Sequence, residues 1–258
     1  MRPSTTSLFA LFLFTAPALA DDAPLPRPRP PEADRKVSQP IEIDPLEREA
    51  ALKLCEEFVH ADVAVAAALE PMAWDNGCTA AAPVSMSAIK LAGGKPIELK
   101  PAAVLRCTTA LVIARWVRDD LAPLAERLGS RIERIDVASS FACRSRNNVF
   151  GAVMSEHGKA NALDIRALHL ADGRKIGIEN ADGPPEFLAG MRQSACERFM
   201  TVLGPGADKD HESHLHIDLA ERRNGYKICQ WTLPEPVKAP ESEGTGAEAS
   251  GKKAEKEK

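Results

Sequence analysis

Two short segments constrain this chain more than any other feature. In Ala162-Leu163-Asp164-Ile165-Arg166 and in His214-Leu215-His216-Ile217-Asp218-Leu219, the apolar residues alternate with smaller or polar ones. A period of two is the signature of a strand that buries one face. Leu163 and Ile165 therefore point toward a core, and Asp164 points away from it. In the second segment His214, His216 and Asp218 share one face, while Leu215, Ile217 and Leu219 share the other. The fold has to present a carboxylate on one strand, and two imidazoles and a carboxylate on another. His157 lies seven residues before Asp164 and His211 five before His216, so four of the six histidines of the chain fall in these two clusters.

If the two strands lie side by side, His157, Asp164 and His216 supply two imidazoles and one carboxylate. That set suits zinc (Zn2+) with a fourth position left for water. A structural zinc normally has four protein ligands, whereas three ligands with a spare imidazole nearby suit an open site. Such a zinc activates water and polarises a carbonyl, which is what amide hydrolysis requires. His214, one pleat from His216, is a candidate general base or oxyanion donor. Asp218 either orients an imidazole or is a surface carboxylate. A single His-x-His is a weak signal, and the metal reading rests on the two clusters together. His60 and His169 have no such setting and read as ordinary surface or core residues. Arg144 and Ser140, in Ser-Ser-Phe-Ala-Cys-Arg after a strand, are candidates for substrate contact; an Arg there either clamps a carboxylate or makes a surface ion pair.

The chain begins as an exported protein would. Arg2, an apolar run from Leu8 to Phe14 and Ala-Leu-Ala ending at Ala20 form a secretory signal, with cleavage expected near Ala20 and a periplasmic or otherwise exported product. The run is too short to span a bilayer, and no later stretch reaches the roughly 20 apolar residues of a transmembrane helix. No Cys stands near the cleavage point, which argues against a lipid anchor. Residues 21–45 are rich in Pro and charge and read as a linker. Residues 234–258 have almost no large apolar side chains and are expected to be disordered. Residues 46–233 remain as one domain, expected to be monomeric.

The net charge of −4, with no basic tract interleaved with aromatics, excludes the electrostatic footprint of a nucleic-acid binder. Cys55, Cys78, Cys107, Cys143, Cys196 and Cys229 form an even set without a Cys-x-x-Cys pair, which favours disulfides in an exported chain. Proximity along the chain pairs Cys55 with Cys78, Cys107 with Cys143 and Cys196 with Cys229.

Residues 47–60 are expected to be helical. Val104, Cys107, Leu111, Ala114, Val117, Leu121, Leu124 and Leu128 recur at three- and four-residue steps, which predicts a core helix from Pro101 to Leu128, kinked or split near Asp120 by Pro123. Strands are expected at Arg131–Ser139, Ala162–Leu170 and Lys175–Ile178, the last two joined by a turn at Asp172-Gly173. A second helix is expected over Pro185–Leu203, ended by Gly204-Pro205-Gly206. Helices first, then a mostly antiparallel sheet with one helix inserted, make an α+β fold flanked by helices and stapled by disulfides.

Ser-x-His, six further residues, Asp and then His-x-His resemble the LAS-type zinc peptidases, which include D-Ala-D-Ala carboxypeptidases and penicillin-insensitive murein endopeptidases. Ala-Ser-Ser-Phe-Ala-Cys-Arg-Ser-Arg-Asn at 138–147, Ser-Glu-His-Gly-Lys-Ala-Asn-Ala-Leu-Asp-Ile at 155–165, Val-Leu-Gly-Pro-Gly at 202–206 and His-Leu-His-Ile-Asp-Leu at 214–219 more closely resemble the bacterial extensin-like C-terminal domain family. The likeness covers about residues 50–231. It implies metal ligands at His157, Asp164 and His216, an active-site imidazole at His214, and at His211 a match to a His of the endopeptidase branch. The dipeptidase branch carries a catalytic Glu three residues before its last ligand; here that place is Ser213, with Glu212 one position off. The resemblance therefore implies a peptidase of cross-linked peptidoglycan peptides, an endopeptidase before a carboxypeptidase. The alternative from another class is a non-catalytic wall-binding protein that keeps the fold.

Overall fold

The computed structural model describes residues 38–149 and 151–234. The expected signal segment, the linker up to residue 37 and the tail beyond residue 234 lie outside the described residues. Helix α1 (Pro45–Ala61) starts at Asp44, whose carboxylate accepts the Leu46 N–H. Strand β1 (Ala64–Ala68), a ribbon of β2 (Met72–Ala73) and β3 (Thr79–Ala80), β4 (Pro83–Ile89) and β5 (Ile97–Arg106) follow. Helix α2 (Cys107–Trp116) continues through a π turn (Val117–Leu121) into α3 (Ala122–Arg127). Next come β6 (Ile132–Ser139), β7 (Ala162–Leu170), β8 (Lys175–Gly177), α4 (Pro185–Arg198), β9 (Thr201–Leu203), β10 (Leu215–Asp218) and β11 (Ile228–Gln230).

Apart from the β2–β3 ribbon, the strands form one nine-stranded sheet in the order β1-β4-β5-β6-β7-β10-β9-β11, with β8 also on β7. Its β5–β6 and β9–β11 pairs are parallel and the others antiparallel, so the fold is α+β with a mostly antiparallel sheet. Leu163 and Ile165 of β7, Leu215 and Ile217 of β10, Ile135 of β6 and Val202 of β9 join one core with Trp116 of α2 and Phe187 of α4. No helix among the described residues is long and apolar enough to cross a membrane.

Several expectations need correction. The segment Pro101–Arg106 is the end of β5. Leu99, Ala103, Leu105 and Cys107 are buried, and this period-two pattern was hidden inside the helical stride through Val104, Cys107 and Leu111. The helix itself starts at Cys107. Pro123 has no N–H to donate, and the chain absorbs the defect as a π turn, with the Ala122 N–H donating to the Val117 carbonyl five residues back.

The second helix ends at Arg198, because Phe199 is extended and Thr201–Leu203 pairs with β10 and β11. Helices do not precede the sheet, since β1 to β5 come before α2. Residues before 46 are not all linker: Pro40 bridges Trp74, and the Ile41 N–H donates to the Ala73 carbonyl.

All six cysteines are paired, as Cys55–Cys107, Cys78–Cys143 and Cys196–Cys229. Only the last follows chain proximity. Packing of α1 on α2 brings Cys55 to Cys107, with their Cα atoms 5.1 Å apart. Cys78, after the Trp74–Gly77 turn, meets the loop that leaves β6.

Candidate metal centre

The antiparallel register sets Asp164 of β7 directly opposite His216 of β10 and, on its other side, opposite Ser139 of β6. The face carrying Asp164 is turned from the hydrophobic core, as the alternation requires, but loops cover it and Asp164 is only 3% exposed. His157 enters from the 3-10 turn Glu156–Lys159 just before β7. Its N–H donates to Ser155 Oγ, and its backbone carbonyl accepts from Ala142 N–H. Gly158 lets this turn lie close against its neighbours, because a Cβ there would stand 2.5 Å from Met154 Sδ and 3.3 Å from Cys78 Sγ. The Cys78–Cys143 disulfide is thus packed against the turn that presents His157.

The three ligand candidates meet. His157 Nε2 is 3.1 Å from Asp164 Oδ1 and 3.1 Å from His216 Nδ1, and His216 Nδ1 is 2.9 Å from Asp164 Oδ1. Bonds of about 2.0–2.1 Å in tetrahedral geometry put neighbouring ligand atoms about 3.3 Å apart, close to these separations. The outer nitrogens settle what the inner ones carry. His157 Nδ1–H donates to the Ser140 carbonyl at 2.6 Å, and His216 Nε2–H donates to Asp218 Oδ2 at 3.0 Å. In the neutral imidazoles the lone pairs of His157 Nε2 and His216 Nδ1 therefore converge on a carboxylate oxygen, an arrangement completed by a cation or a proton.

The charges respond accordingly. Burial pushes the His216 pKa down, but its hydrogen bonds to Asp164 and Asp218 win and raise it to about 9. Burial pushes Asp164 up, and its hydrogen bonds with His157 and His216 outweigh this and hold it far below the usual carboxylate range. Asp218 is lowered in the same way, burial being outweighed by the His216 hydrogen bond. Asp218 also accepts from Thr201 Oγ1 at 2.5 Å and from Ala220 N–H at 3.0 Å.

The cluster lines a cavity of about 510 Å³ that is also walled by Arg144, Asp208, His211, His214 and Tyr226. His214 Nε2 lies 3.5 Å from Asp164 Oδ2, and burial lowers its pKa against the pull of that carboxylate. His211 is buried, and its Nδ1 bonds Asp208 Oδ1 at 2.6 Å. Ser140 is not on the cavity wall. Its hydroxyl accepts the Val104 N–H and its carbonyl holds His157, so it supports a ligand candidate from behind where substrate contact had been expected. His60 is exposed, and His169 lies in an ion-pair network with Asp136 and Arg134. Asp208, Thr201 and Tyr226 were not foreseen. Only Asp208 left a trace in the sequence, a carboxylate three residues before His211.

The fold and this cluster define an α+β, disulfide-stapled domain with a two-histidine, one-aspartate set on the covered face of its sheet. Residues 53–230 match the family described as extensin-like protein C-terminus, and the chain belongs to it. No curated protein and no solved structure matches the chain.

Proposed function

We propose that this chain is an exported zinc peptidase that hydrolyses a peptide bond in the cross-links of peptidoglycan. The observation that carries the proposal is the convergence of His157 Nε2, His216 Nδ1 and Asp164 Oδ1 at the wall of a cavity, with both outer ring nitrogens already committed to protein acceptors. Zinc held by those three residues supplies a Lewis acid that polarises the scissile carbonyl and makes water acidic enough to attack near neutral pH.

The protein's own groups do the rest. Ser140 and Asp218 keep the two imidazoles in the tautomers that offer lone pairs inward. His214, whose pKa burial lowers, donates a hydrogen bond to the oxygen on which charge develops. His211 stands beside it for proton transfer, with ring centroids 5.3 Å apart. Arg144 lines the cavity, and its guanidinium would hold a substrate carboxylate or carbonyl.

The resemblance to LAS-type peptidases supports peptidoglycan peptides as substrate, and the absence of their dipeptidase-type Glu supports an endopeptidase. Glu212 does not replace that residue: its carboxylate accepts the Gly206 N–H at 3.3 Å and is off the cavity wall.

The test incubates cross-linked muropeptides with the zinc-loaded mature protein alone, with chelator and with penicillin, and measures conversion of dimers to monomers. Chelator should stop conversion and penicillin should not, since attack by water leaves no acyl-enzyme for the drug to mimic. If the zinc-loaded protein converts neither D,D nor L,D dimers, the chain is a wall-binding protein instead.

A further inference from the structure

We infer that Asp208 and His211 form a proton-transfer pair, with His211 the group that takes and returns the proton and Asp208 the residue that positions it; this rests on the peptidase reading above. His211 Nδ1 lies 2.6 Å from Asp208 Oδ1. An ionised carboxylate only accepts, so Nδ1 carries the proton and the lone pair is left on Nε2. Asp208 is held in turn. The same oxygen accepts the Asp210 N–H at 2.9 Å, and the Asp208 carbonyl accepts the His211 N–H at 3.2 Å. Both side chains line the cavity beside His214 and His216.

His214 is built differently. Its Nδ1 lies 3.5 Å from Ser213 Oγ, and its Nε2 lies 3.5 Å from Asp164, a carboxylate already engaged by His157 and His216. Among the described residues, an imidazolium formed at His214 has no carboxylate of its own, whereas one formed at His211 has Asp208. The two histidines therefore divide the work.

As water attacks the scissile carbon a C–O bond forms, and the proton leaving the water goes to His211 Nε2. When the C–N bond breaks, that proton passes to the departing amine nitrogen, leaving a carboxyl group and an amine. Asp208 keeps the Nδ1 proton throughout and stabilises the transient imidazolium. His214 donates a hydrogen bond to the oxygen on which charge develops.

The experiment compares zinc-loaded mature wild type, Asp208→Ala and Asp208→Asn. The tautomer of His211 is read by 15N NMR, its signal assigned through His211→Gln, and kcat and KM are measured on a cross-linked muropeptide dimer. In wild type His211 should be protonated at Nδ1. Asp208→Ala should move the proton to Nε2 and lower kcat about 100-fold, with zinc content unchanged and KM within about twofold.

Asp208→Asn keeps an acceptor oxygen without the charge, so it should retain the tautomer and lose about tenfold in kcat; it carries the test if the Ala variant does not fold. A wild-type His211 protonated at Nε2, or an Asp208→Ala variant that changes neither tautomer nor kcat, overturns the pair, as does an effect confined to KM. Failure of wild type to cleave removes the peptidase reading, while the tautomer still decides whether Asp208 positions His211.

Discussion

Strand β7 carries a histidine–aspartate contact toward each end. At its start Asp164 meets His157 and His216 in a buried trio; five residues on, His169 meets Asp136 of β6, its Nε2 2.6 Å from the carboxylate. The far pair is complete as it stands. Arg134 donates to Asp136 at 2.9 Å and lies 2.9 Å from His169 Nε2, so a permanent cation balances the carboxylate, and both side chains remain more than a quarter exposed. The near trio has carboxylates at Asp164 and Asp218, and its imidazoles turn their hydrogens outward. Proximity of His to Asp does not mark a metal site. What sets the near trio apart is that His157 Nε2 and His216 Nδ1 both face one carboxylate oxygen with no Arg or Lys among the described residues beside it to balance the charge.

The two ends of β7 should differ most when the ligand candidates are removed. Replacing His157, Asp164 and His216 together by Ala should take zinc from about one per chain to almost none and abolish cleavage, whereas His169→Ala should leave both unchanged. Metal analysis decides this, and full loading in the triple variant would end the ligand assignment. Next in size is His214→Ala, which should keep its zinc and lose about 100-fold in cleavage rate, a split that a mere loss of fold would not produce.

Acid and base separate the two ends further. With chelator present, His216 stays protonated up to about 9, above the value of an unfolded histidine. A raised pKa stabilises below the unfolded value and loses that contribution as the pH rises. The chelated protein should therefore lose up to about 3 kcal/mol between about pH 6.5 and 9, and the zinc-loaded protein should not. Denaturant titrations across that range read the difference.

The smallest effect belongs to the far end. Burial raises the Asp136 pKa, but the His169 hydrogen bond outweighs it and the pKa is lowered. Its stabilisation is present above the ordinary carboxylate value of about 4 and is lost as the pH falls below it. His169→Ala should cost about 1 kcal/mol at neutral pH and less in acid; an equal cost at both would show that the ion pair contributes nothing.

Legibility in the sequence followed the range of the forces. The β7–β8 hairpin, strand β6 and the alternating faces of β7 and β10 were readable because their patterns are local to each element, and helix α1 was readable as an element. The first five strands were not. Ala64–Ala68 has almost uniformly small side chains, and β5 runs into α2 without a breaker, so two periods overlap at Val104 and Cys107. Two of the three disulfide pairings differed for a related reason, since nothing local in Cys55 or Cys78 records that α1 packs on α2 or that the loop after β6 passes the Trp74 turn.

By itself the sequence determined which side chains share a face. Asp164 opposes Leu163 and Ile165, and His216 opposes Leu215 and Ile217, because the pleat alternates whatever the rest of the chain does. The tertiary structure alone decided that Asp164 stands opposite His216, that Ser140 and Asp218 take the outer nitrogens, and that Asp208 rather than Glu212 serves the cavity. Those choices depend on strand register and on loops closing over the sheet. They are set by contacts between distant segments, which no local pattern encodes.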